Sequence, residues 1–144
     1  MLSSKKPVKN SIKKYLLSLH DLTRNKMQFQ HTLKRNYSFE GKGLHTGKYA
    51  KMTVCPAAEN TGIVFVRTDI GPDAVVKALA ENVSTTTRST TISQNGASVS
   101  TIEHILSALT GMGVDNALIE IDNVEVPILD GSAKPYIDAI WADG

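Results

Sequence analysis

The stretch Ser100-Thr101-Ile102-Glu103-His104 holds the residues best suited to chemistry. A carboxylate beside an imidazole suits a general base next to a metal ligand or a second proton carrier. The stretch opens an amphipathic run, so the two side chains fall in the first turn of a helix. Neighbours there point about 100° apart and can both reach a cleft beyond the helix end. The positive end of a helix dipole favours a charged carboxylate and a neutral imidazole, the forms a base and a metal ligand need. A plainer reading has the same geometry. Ser100 and Glu103 match the S-x-x-E capping box, in which the two side chains satisfy free N–H groups at the helix start. On local evidence capping is the simpler of the two, and both stay open here.

Three further stretches carry polar chemistry. Glu40–Lys48 (EGKGLHTGK) places His45 among Gly41, Gly43 and Gly47. Glycines let a backbone approach a ligand closely, although such loops are more often turns. The spacing is neither GxGxxG nor a P-loop, so nucleotide phosphate binding by those modes is unsupported. The run Thr85–Thr91 surrounds Arg88 and Ser89 with hydroxyls. It suits a sugar ligand, or equally the solvent face of a Thr-rich strand. Asp130-Gly131-Ser132 reads as a turn with a helix cap. The four histidines, His20, His31, His45 and His104, show no HxxxH spacing, and there is no CxxC pair. Spacing alone therefore gives no complete metal site. The single cysteine, Cys55, excludes an internal disulfide and reads as a small core residue.

The elements that must position these residues follow from periodicity. Ile102, Ile105, Leu106, Leu109 and Met112 form one apolar stripe and predict a helix over 101–112, stopped by Gly111 and Gly113. A second helix is expected over 133–142, capped by Ser132, with Pro135 in its first turn. Strands are expected over 31–39, 49–55, 63–68, 117–122 and 124–128. In 49–55, Ala50, Met52 and Val54 form the inward face. The 83–93 run is expected to be extended, followed by a hairpin turn at Gln94-Asn95-Gly96. This order predicts an α+β fold, one sheet with two main helices packed on one face.

Charge divides the chain. Residues 1–35 hold nine of the sixteen Lys and Arg and one acid, Asp21, while the remainder holds seven basic and thirteen acidic residues. An acidic body argues against nucleic acid as a partner. Residues 1–30 read as a basic leader, in part helical or disordered, ahead of a domain over 31–144. Within the leader, 11–23 has amphipathic spacing suited to an anionic membrane surface, or to a frayed extension, and Met27 is an alternative start. The leader lacks the order of a signal peptide, and no apolar run approaches the roughly 18 residues of a membrane span.

Taken together, HTLKR (31–35), GKGLHTGK (41–48), PAAENTGIVF (56–65), TTRSTT (86–91), STIEHILSALTGMGVDN (100–116) and VPILDGSAKPYID (126–138) resemble the N-terminal domain of the UDP-3-O-acyl-N-acetylglucosamine deacetylases. The likeness runs over about 31–142 and leaves out the leader. It implies a cytoplasmic, zinc-dependent amide hydrolase of lipid A synthesis in Gram-negative bacteria, working near the inner membrane. It also implies a fold of two similar α+β domains with the active site between them. By resemblance, Glu103 is the general base, His104 a zinc ligand, His45 a neighbour of the site, and Arg88 and Ser89 part of the sugar-binding region. Some relatives carry Cys where this chain has Ser89. The remaining zinc ligands are expected from an H-K-x-x-D block in a C-terminal domain that these residues do not include. The chain is therefore expected to be inactive alone and to need that second domain as partner. The alternative is a non-catalytic binding or assembly module that keeps the fold.

Overall fold

The computed structural model describes residues 29–143. The amphipathic run 11–23, His20, Met27 and most of the basic leader lie outside them. The class is α+β, and the strands divide between two sheets. The larger sheet has the order β1-β2-β8-β3-β4, formed by β1 (Tyr37–Lys42), β2 (Tyr49–Pro56), β3 (Ile63–Arg67), β4 (Val75–Lys77) and β8 (Ala117–Ile121). Its ladders are antiparallel except β3–β8, which is parallel. The smaller antiparallel sheet holds β5 (Val83–Thr85), β6 (Thr91–Gln94) and β7 (Ala97–Ser100) and packs against β3 and β4. Two helices, α1 (Glu103–Gly111) and α2 (Lys134–Trp141), pack on each other.

Alternation along the strands sets the core. Register pairs Met52 with Ile121, Val54 with Ile119, and Phe65 with both Ile119 and Val76, so these residues share one face. All are almost fully buried, in one cluster with Ile105, Ala108 and Leu109 of α1 and Tyr136 and Ile140 of α2. Ile92, Ala97 and Val99 of the smaller sheet join the same cluster. Each such aliphatic side chain contributes about 1.5–3 kcal/mol by leaving water. Phe39 meets Tyr136 edge to face at 4.8 Å, which ties the edge strand β1 to α2.

Local signals act where expected. Asn95 and Gly96 both take positive φ, 53° and 78°, and close the two-residue hairpin between β6 and β7. α1 stops at Gly113, whose φ of 77° allows Val114 N–H to reach Leu109 O at 2.9 Å and Gly113 N–H to reach Thr110 O at 3.1 Å. In α2 the expected Ser132 cap is displaced by one residue: Ala133 takes the cap position with no side-chain bond, and the Ser132 hydroxyl ahead of it accepts the Lys134 N–H at 3.1 Å.

Three local expectations change. Residues 31–36 are not a strand: the His31 carbonyl accepts the N–H groups of Asp115 and Asn116 in an irregular tie, and pairing starts at Tyr37. The 83–93 run breaks at 86–90 between β5 and β6. Residues 124–128 form no strand and make a single bridge, Ser100 to Glu125. Pro127 has no N–H to extend a ladder, and the Glu125 side chain is committed inward.

Candidate functional site

The site grows from the entry to α1. Ser100 ends β7, and its N–H donates to Val124 O at 2.8 Å. Thr101 then turns left-handed, with φ of 60°, while only 2% exposed. A β-branched residue is strained there and persists only where its surroundings hold it. Its N–H donates to Thr90 O at 3.0 Å, and its hydroxyl donates to Glu125 Oε1 at 2.8 Å. The turn delivers Glu103 and His104 as the first two residues of α1, both half-buried.

This geometry overturns the capping box. Ser100 belongs to β7, its N–H is already taken by Val124, and α1 starts after Ile102 with no side-chain cap. The Glu103 carboxylate instead accepts the N–H of Thr90. That bond orients one oxygen of Glu103 and ties the helix start to the end of the Thr-rich segment.

The glycine loop reaches the same end of α1. Residues 43–48 link β1 to β2, with the Gly43 N–H donating to Lys48 O at 2.9 Å. The backbone N–H groups of His45 and Thr46 donate to the Glu125 carboxylate at 3.0 and 2.8 Å. His45 itself is exposed. Glu125 is 1% exposed. Burial pushes its carboxyl up, but the N–H groups of His45 and Thr46 and the hydroxyls of Thr46 and Thr101 outweigh that and hold it below its ordinary value. It is charged at neutral pH. Glu125 and Thr101 escaped sequence reasoning. The one available signal was an acid set between Val124 and Val126 in an apolar run.

Arg88 and Ser89 sit in the break between β5 and β6, where with Thr85 and Thr87 they line an open surface recess. Arg88 is exposed, and the Thr85 hydroxyl pairs with the Thr87 hydroxyl at 3.2 Å and accepts the Thr87 N–H at 3.3 Å. The segment joins the site through Thr90. Thus the structure brings Glu103, His104, the His45 loop and the Arg88-Ser89 segment to one end of α1. A separate apolar hollow, lined by Leu33, Tyr37, Val114 and Ile140, lies toward the other end. Cys55 is buried in β2, and burial with nearby Glu120 raises its thiol pKa, which leaves it protonated at neutral pH.

For a metal, the end of α1 offers one imidazole, His104, beside one carboxylate, Glu103. Among the described residues, no three His, Cys, Asp or Glu side chains cluster to hold an ion. That donor set is enough for one corner of a tetrahedral site.

Residues 30–144 match the family model described as UDP-3-O-acyl N-acetylglycosamine deacetylase. The chain belongs to this family. A UDP-3-O-acyl-N-acetylglucosamine deacetylase of Syntrophus aciditrophicus is 50% identical over 114 residues, 79% of this chain and 36% of the relative. One of the same name from Citrifermentans bemidjiense is 52% identical over 118 residues, 82% of this chain and 39% of the relative. The bifunctional enzyme LpxC/FabZ of Porphyromonas gingivalis is 50% identical over 114 residues, 79% of this chain and 25% of the relative. The chain thus spans 36–39% of the length of the two single-function relatives. The family match takes in every candidate residue at this end of α1.

Proposed function

We propose that this chain provides one half of the active site of a zinc-dependent deacetylase acting on UDP-3-O-acyl-N-acetylglucosamine in lipid A synthesis. The observation that carries the reading is Glu103 beside His104 at the start of α1, with the Glu103 carboxylate oriented by the Thr90 N–H. The names of the relatives supply the substrate. In this reading Glu103 is the general base and His104 donates its imidazole to the metal. Zinc, when bound, supplies a Lewis acid that makes water a nucleophile at neutral pH. Glu103 accepts the proton of the water that attacks the acetamide carbon. The C–N bond breaks, acetate leaves, and the proton ends on the amine nitrogen. The Arg88-Ser89 recess binds the sugar, and the His45 loop borders the reacting group.

The other zinc ligands come from a C-terminal domain. The 144-residue chain alone therefore gives no turnover, and joining it to the remaining part of the Syntrophus relative gives an active enzyme. In that joined enzyme Glu103→Gln lowers kcat by about 100-fold or more, the usual weight of a positioned base, read as acetate release. Activity within a few-fold of the parent refutes the role of Glu103. Robust zinc-dependent turnover by the chain alone refutes the half-site reading. The reaction is assigned to the cytoplasm, with peripheral membrane contact through the basic leader. Equal liposome binding with and without residues 1–26 refutes that contact.

A further inference from the structure

Glu125 makes its bonds in an unusual direction. A buried carboxylate is costly unless its lone pairs are filled, and here they are filled by two segments far apart in sequence. Oε1 accepts the Thr101 hydroxyl at 2.8 Å and the His45 N–H at 3.0 Å, and Oε2 accepts the Thr46 N–H at 2.8 Å. The Thr101 segment runs directly into the Glu103-His104 pair, and Glu125 ties the His45 loop to it. Gly43 is shaped to the same group: a Cβ there would stand 2.2 Å from Glu125 Oε2. Thr101, held left-handed, is two residues ahead of Glu103.

We infer that Glu125 is a positioning residue whose buried carboxylate clamps the glycine loop 43–48 to the Thr101 turn, and so fixes His45 against the start of α1. Its consequence for catalysis rests on the deacetylase reading above; the clamp itself does not. The carboxylate touches no reacting atom. It sets the path of the backbone that carries His45 and holds the strained residue that aims Glu103 and His104.

Two arms test it. In the 144-residue chain, amide resonances and hydrogen exchange are compared among the parent, Glu125→Gln and Gly43→Ala. Glu125→Gln is expected to speed exchange at His45 and Thr46 at least tenfold and to shift the amides of Thr101, Glu103 and His104, while β2 and β8 keep their protection. Gly43→Ala keeps the carboxylate but displaces it, and must move the same set of amides. That variant also decides the matter if Glu125→Gln does not fold. Loop amides unmoved in Gly43→Ala, or protection lost evenly across the sheet, overturn the clamp.

In the joined enzyme, Glu125→Gln is expected to lower kcat/KM about tenfold, but less than twofold when His45→Ala is already present. Coupled sites depart from additivity in this way, whereas general destabilisation would not depend on His45. Effects that multiply overturn the positioning role. A joined enzyme whose parent never releases acetate defeats the deacetylase reading, and the amide pattern still decides the clamp.

Discussion

The two polar loops that border the start of α1 are built in opposite ways. The glycine loop 43–48 closes on itself through Gly43 and Lys48 and is tied down by a buried carboxylate. The 85–89 segment is mostly exposed, and its hydroxyls bond one another rather than the body of the domain. One loop arrives in place, with its ordering cost met during folding. The other keeps its donors for whatever it meets. A site assembled from both combines a fixed wall with an adaptable one. This is a reasonable division where a reacting group must be held to a fraction of an ångström and a sugar need only be gripped.

Truncating the tie should break the contrast most. Glu125→Ala leaves the buried Thr101 hydroxyl and the backbone N–H groups of His45 and Thr46 without their partner and frees a strained turn. The expected loss is about 3 kcal/mol, read as a lowered urea midpoint with an unchanged slope. A loss under about 0.5 kcal/mol, the scale of an ordinary surface change, would mean that the glycine loop is no better anchored than its neighbour.

Gly43→Ala is the next largest. Its new Cβ meets the carboxylate at 2.2 Å, and overpacking of this kind costs about 1–3 kcal/mol. An unchanged midpoint would show that the loop yields freely.

Acid sharpens the comparison without mutation of the parent. Glu125 is held below its ordinary value of 4.5, so in acid the unfolded chain takes up a proton that the folded one resists. Its contribution is complete above about pH 4.5 and is lost as pH falls through the lowered folded value. Asp69, held low by the Arg67 guanidinium, and Asp143, held low by Tyr37 and Arg35, act in the same direction. Between about pH 5 and pH 3, stability should therefore fall more steeply in the parent than in Glu125→Gln. Parallel slopes would remove Glu125 from the acid response.

The smallest effect on folding is expected at the open loop. Arg88→Ala should change stability by less than about 0.5 kcal/mol while raising KM in the joined enzyme. A stability loss comparable to that of Glu125→Ala would mean that 85–89 is also part of the scaffold.

Much of this was legible in the residues. The alternation of Ala50, Met52 and Val54, the stripe from Ile102 to Met112, and the Asn95-Gly96 turn are local patterns, and each recurs in the structure. The family was legible too, because its blocks are short, dense and ordered. The errors have a common cause. Ser100 and Glu103 spell a capping box, but Ser100 pairs in β7 and Glu103 bonds to Thr90. Val124–Ile128 spells a strand, but Pro127 and an inward Glu125 leave only a bridge. In both cases a carboxylate found its partners outside the local pattern, Glu103 at Thr90 and Glu125 at His45, Thr46 and Thr101.

The sequence by itself determined the α+β class, the inward faces of the central strands, the helix that carries Glu103-His104 and the family to which the chain belongs. These depend on spacing within a few residues, where backbone geometry leaves few choices. Only the tertiary structure decided how Glu103 is oriented, why Thr101 is strained, and which group holds the glycine loop. Those bonds join Thr90 to Glu103, Thr101 to Glu125, and His45 to Glu125 across 80 positions. A hydrogen bond is satisfied by whatever donor the fold brings within about 3 Å, and no local pattern names that donor.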